Sequence, residues 1–174
     1  MAIKMDKDFM HAVVTEEAWE KLSRQLEWTE TLLDTFQNKV DWDEIVENDN
    51  ITWTVSILHK FSKRINWAKF SENITAEYLT PEILDAFKDK WDWKALSENW
   101  AFELNDELLM RYADLWDWEK IINHSFYNCV YNERGLDFYE KYKDYIPAAK
   151  LQGSNLWDEI VNQRMNQLMH EIVS

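Results

Sequence analysis

Cysteine, glycine and proline are nearly absent from this chain, and each scarcity excludes something. One residue of 174 is a cysteine, Cys129, so neither an intramolecular disulfide nor a thiolate metal cage can form. Two glycines, Gly135 and Gly153, can hardly build a loop that cradles phosphates, and the chain carries no Walker, GxGxxG or HExxH motif. With two prolines as well, it has too few turn formers for the many tight turns of a β-sandwich. No apolar run approaches the ~20 residues of a membrane span. The opening MAIKMDKDFMHAVV also lacks the uninterrupted apolar stretch of a secretory signal. These features together lead us to expect a cytoplasmic protein.

Basic residues are scarce relative to acids: 19 Lys and Arg face 33 Asp and Glu, a net charge of −14. Direct binding to nucleic acid or to an anionic membrane needs the opposite balance. The acidity serves solubility, or it prepares a surface for a basic protein, including one that itself handles nucleic acid.

What the chain does have is 46% hydrophobic residues, 11 tryptophans and a pattern that returns roughly every 25 positions. ILDAFKDKWDWKAL (83–96) aligns without gaps on LLDTFQNKVDWDEI (32–45), ILHKFSKRINWAKF (57–70) and LLMRYADLWDWEKI (108–121). Thr80-Pro81-Glu82 reads as a helix start, with a capping hydroxyl, proline at the first helical position and an acid near the positive end. Ile83, Leu84 and Phe87 then mark one apolar helix face, with Trp91 beyond them, and Asp92 caps a second short helix carrying Trp93 and Leu96. Thr29, Thr54 and Asn105 open equivalent units, whose second helices are capped by Asp41, Asn66 and Asp117; Asp41 and Glu44 have capping-box spacing. TEEAWEKLSRQLEW (15–28) fits the same register, with Trp19, Leu22, Leu26 and Trp28 on core slots.

The fold expected is all-α, a short α-solenoid of about six two-helix repeats. Units start near 15, 29, 54, 80, 105 and 135, and a capping helix over 155–174 completes a single repeat domain of residues 15–174. Residues 1–14 are expected to form a flexible N-terminal segment ahead of it. Units of the type KVDWDEIVEN (39–48) and KWDWKALSEN (90–99) resemble the tandem Asp-Trp repeats of uncharacterised bacterial, phage and large-virus proteins. That resemblance, over about residues 29–123, implies a repeat scaffold and brings no catalytic residues with it.

The side chains point the same way. His11, His59, His124 and His170 lie in different units, and His124 with Cys129 lacks the third group that would orient a Cys-His dyad. Carboxylates are abundant, but most stand at helix starts or on solvated faces, so no facing pair is singled out. No catalytic residue, metal or cofactor is expected, and the chain reads as a non-catalytic protein-binding scaffold. An acidic nucleic-acid mimic that inhibits a defence protein is the alternative reading, and an unrecognised enzyme the third.

Basic residues gather late in the first helices and acids around the second helices and the loops after them. Partner-binding candidates are Glu47, Asp49, Glu72, Glu77, Glu98, Glu103 and Glu107, with Trp100 as an exposed aromatic anchor. The segment 122–147 inserts about five residues into the pattern and is rich in tyrosine. It is either a functional loop or a repaired seam.

Overall fold

The computed structural model describes residues 7–99, 105–124 and 130–173. Among them are twelve α-helices, one 3-10 turn and no strand, so the protein is all-α. The chain divides into two compact units, residues 1–88 and 89–174. The first holds α1 (Lys7–Gln25), α2 (Glu30–Phe36), α3 (Trp42–Ile45), α4 (Val55–Phe61), α5 (Trp67–Asn73), a 3-10 turn (Ala76–Tyr78) and α6 (Pro81–Ala86). The second holds α7 (Trp93–Glu98), α8 (Asp106–Arg111), α9 (Trp118–Ile121), α10 (Gly135–Tyr142), α11 (Ala148–Leu151) and α12 (Asn155–Val173).

Helices of four to eight residues are unstable alone, so their ends and their neighbours must hold them. The ends are closed as the sequence implies. Thr29, Thr54, Thr80 and Asn105 accept hydrogen bonds from the backbone N–H groups of Leu32, Ile57, Ile83 and Leu108. Asp41, Asn66, Asp92 and Asp117 do the same for the second helices. The capping box is only half made, however. Asp41 Oδ1 accepts from the Glu44 N–H at 3.3 Å, but the Asp41 N–H donates to Ser23 Oγ at 2.9 Å, not to the Glu44 carboxylate.

That serine bond recurs. Ser23 Oγ donates to the Trp19 carbonyl and accepts from Asp41, while Ser97 Oγ donates to the Trp93 carbonyl and accepts from the Asp117 N–H at 2.9 Å. Both serines are fully buried. Each fastens the corner of the following pair of helices to the second helix of the pair before it.

The Asp-Trp tryptophans make a further recurring link. Trp42, Trp67 and Trp118 donate their indole N–H to the carbonyls of Gln37, Ser62 and Ala113, each five residues earlier and just past the end of the preceding helix. These carbonyls have no intrahelical donor. A phenylalanine could fill the same space but could not donate the bond. The rings lie over an aromatic side chain of the next helix pair: Trp42 on Phe61 at 5.1 Å and Trp67 on Phe87 at 5.2 Å in the first unit. In the second unit, Trp93 lies on Tyr112 and Trp118 on Tyr142, both at 5.1 Å. Trp118 is buried, whereas Trp42, Trp67 and Trp93 are half-buried. Leu33, Ile45, Leu58, Phe70 and Leu84 fill the core of the first unit, and Leu96, Leu109, Ile121, Phe138 and Leu156 that of the second.

One stretch departs from the expected register. Thr15 starts no helix: it lies within the nineteen-residue α1, where its hydroxyl donates to the His11 carbonyl. Leu22 and Leu26, expected inside, are 44% and 40% exposed. The Trp19–Ser23 bond shows why, because it matches Trp93–Ser97 and so places this half of α1 as a second helix, not a first. Residues 7–14 continue the same helix. At the other end of the sequence, Pro147 replaces the capping acid and α11 has no side-chain cap.

Candidate interaction surface

The acidic candidates fall into two groups. Glu47 follows α3 and is half-buried, and its carboxylate binds Arg24 Nη2 at 2.7 Å and Lys69 Nζ at 2.8 Å. The Glu47 hydrogen bond holds the Lys69 ammonium above its ordinary pKa. Glu98, the last residue of α7, is ion-paired with Lys120 of α9. Lys69 and Lys120 each lie 22 residues after their acid, so one pairing recurs in the two units. Those two carboxylates are already engaged in holding helix pairs together.

Asp49, Glu72, Glu77 and Glu107 are exposed. Asp49 follows the buried Asn48, whose amide donates to the carbonyls of Ser23 and Leu26 at 2.7 and 2.9 Å. Glu72 stands on α5, Glu77 on the 3-10 turn, and Glu107 in the first turn of α8. Trp100 and Glu103 lie outside the described residues. The same is true of Cys129, and with it the Cys-His pairing.

The expected basic ridge is partly interlocked with acids. Lys60 binds Glu30 and Asp34, Lys141 binds Asp106, Lys143 binds Glu140, and Arg64 donates to the Asn38 side chain at 2.7 Å. Beside α1, an open groove of about 490 Å³ is lined by His11, Thr15, Trp19, Lys39, Val40 and Asp41 among others.

A tighter constellation sits in the second unit, around the five-residue insertion. Asp106, at the start of α8, accepts both guanidinium branches of Arg134 at 2.9 and 3.0 Å, Lys141 Nζ at 2.9 Å and the Tyr142 hydroxyl at 2.8 Å. The Arg134 bonds, assisted by Lys141 and Tyr142, hold this carboxyl well below the usual range. Burial and the Asp106 bond push the fully buried Tyr142 phenol up. Nearby, the Tyr131 hydroxyl donates to the carbonyls of Ile122 and His124. Gly135 allows α10 to approach α12, since a Cβ there would come within 3.1 Å of the Ile160 backbone nitrogen. These bonds make the described part of the insertion a seam.

The Asp106 constellation that makes the seam was not foreseen from the sequence, where Asp106 reads as an ordinary first-turn acid. Its signal was an arginine immediately before the glycine that opens α10. His124, within the 122–147 segment, is half-buried, and burial pushes its imidazole below the ordinary value while a hydrogen bond to the Asn99 backbone works the other way.

Among the described residues, no group of three or more His, Cys, Asp or Glu side chains is arranged to hold a metal ion. No described helix is long and apolar enough to cross a membrane. Comparison with known proteins finds no matching family model, no matching curated protein and no matching solved structure.

Proposed function

We propose that this chain is a non-catalytic protein-binding scaffold: a short α-solenoid of Asp-Trp repeats that offers exposed carboxylates to a basic protein partner. The observation that carries this reading is the recurrence of one joint between consecutive helix pairs. A half-buried or buried tryptophan packs on the next aromatic ring, and a buried serine takes the next cap's N–H. Joints that use the same side chains each time are the nearest-neighbour interfaces from which repeat scaffolds are built. They leave the carboxylates of Asp49, Glu72 and Glu77 facing solvent.

The partner chemistry follows from charge. At −14, the chain attracts basic surfaces, and its attraction weakens as salt screens it. The test is affinity capture from lysate with the native chain and with a D49K/E72K/E77K variant as baits. A basic protein held by the native chain, lost with the variant and released by moderate salt is the expected result. A capture profile identical for the two baits overturns the assignment to these acids. If the captured protein normally grips nucleic acid and DNA competes for it, the scaffold is a decoy of the phosphate-mimic kind.

A further inference from the structure

The last helix offers a surface of a different kind. α12 runs for nineteen residues, and Leu156 is its one buried residue among those described. Trp157, Val161, Met165, Leu168, Met169 and Ile172 are between 36% and 82% exposed. Steps of four, four, three and four from Trp157 through Val161, Met165 and Leu168 to Ile172 keep this stripe on one face. A continuous exposed apolar stripe marks a surface that is covered in use.

Charge identifies the cover. In a chain of net −14, no Asp or Glu occurs from Ile160 to His170. Asn162, Asn166 and Gln167 stand where charged residues would be expected, and Arg164 is occupied by Gln167 and Glu171 of its own helix. A basic partner finds no complementary charge here, so the stripe is not an extension of the acidic surface. Two copies of the chain repel each other through their acids elsewhere but meet none between Ile160 and His170, with Asp158, Glu159 and Glu171 confined to the two ends of the stripe.

Side-chain size supports the same occupant. If two such helices run antiparallel about an axis at Met165, Trp157 comes level with Ile172 and Val173 of the second copy, and Val161 with its Leu168 and Met169. Met165 meets its own twin, so large faces smaller at each outer position, as a self-complementary two-fold contact requires. We propose that α12 is a homodimerisation helix that pairs antiparallel with the α12 of a second copy. The stripe spans roughly 25 Å and covers a few hundred Å² per copy, below the ~800 Å² of a standard interface. The dimer is therefore weak and reversible, with a Kd in the micromolar range. This inference stands apart from the acidic surface and survives its failure.

The test is sedimentation of the full chain from about 1 to 200 µM, a range that brackets such an affinity. Monomer at the bottom of the range and dimer at the top is the expected result. M165K, which brings two ammonium groups together at the axis, should weaken association at least about tenfold while the helical circular dichroism stays unchanged. A geometric check uses C129S/M165C, which a short bis-maleimide should cross-link. C129S/L136C, with its thiol at an exposed apolar site on α10, should not cross-link. A monomer across the whole range, association indifferent to M165K, or cross-linking at 136 equal to that at 165 overturns the proposal.

Discussion

The interior helix pairs and the two nineteen-residue helices solve different problems. Helices α2 to α9 span only four to seven residues, yet each has at least one buried side chain. In α1 and α12, by contrast, only Ser23 and Leu156 are buried among the described side chains. The short helices exist because their neighbours bury one face and their caps close both ends. The long ones rest on helical propagation over many turns and leave apolar residues uncovered. The contrast is visible within a single slot. Phe61, Phe87, Tyr112 and Tyr142 are at most 3% exposed, whereas Phe36, beside α1, is 37% exposed although its ring meets Trp19 and Trp28. Buried positions on the short helices carry stability, and the two long helices carry surface.

The largest effect should come from asking the same substitution of both regions. Trp93→Ala removes a ring packed at 5.1 Å on Tyr112 and 5.0 Å on Trp116. It should cost about 3 kcal/mol in chemical denaturation, the scale of an aromatic truncated inside a packed joint. Trp157→Ala, on the exposed stripe, should cost under about 0.5 kcal/mol at concentrations where the chain is monomeric. Equal losses at the two positions would erase the distinction between joint and surface.

Much of this was legible in the sequence, and the reasons are local. Capping residues act on amides two or three positions away, so Thr80, Asp92 and Asn105 announce their helices directly. The packed rings follow from the repeat itself, since a slot filled in turn by Phe61, Phe87 and Tyr112 has to face something constant. What stayed hidden depends on distance along the chain. Ser23 reads as an unremarkable polar residue until Asp41, eighteen positions on, delivers its N–H. Glu47 and Glu98 read as free acids because their cations lie 22 or 23 residues away. The register of 15–28 was misread because Trp19, Leu22 and Leu26 fit the spacing of either helix of a pair. Only a hydrogen bond from a buried serine distinguishes the two.

The seam offers a second, smaller contrast, between a joint made by aromatic rings and one held by charge. Arg134→Ala leaves Asp106 with Lys141 and Tyr142 alone and should cost about 2 kcal/mol, the range for hydrogen bonds to charged groups. Asp106 is depressed in the fold, so its contribution is complete above the ordinary carboxyl pKa of about 4 and disappears as pH falls below that value. D106N should therefore be less stable than the native chain at pH 7 and approach it in stability as pH falls below about 4. Urea titrations across that range check this. A gap that persists unchanged to low pH would mean that the carboxylate charge contributes nothing to the seam.

The finest test concerns one residue that breaks the repeat pattern. Where the earlier pairs have Asn48, Asn73 and Asn99, this chain has His124, which bonds to the Asn99 backbone and is depressed by burial. Asn48 makes a comparable reach, donating to the Ser23 carbonyl 25 residues earlier, with an amide that never titrates. The asparagine joint should thus be indifferent to pH and the histidine joint should not. Above about pH 6.5 the imidazole is neutral in both folded and unfolded chains, and its contribution is complete. Below that value the unfolded chain takes up the proton first, so stability falls with pH until the folded imidazole also titrates. H124N restores the repeat's own residue and should flatten this stretch of the stability profile, read as the difference between denaturation midpoints at pH 7 and pH 5. A variant that loses more stability than the native chain over the same interval would show that the folded imidazole prefers its proton, and the joint would then be an ionic one.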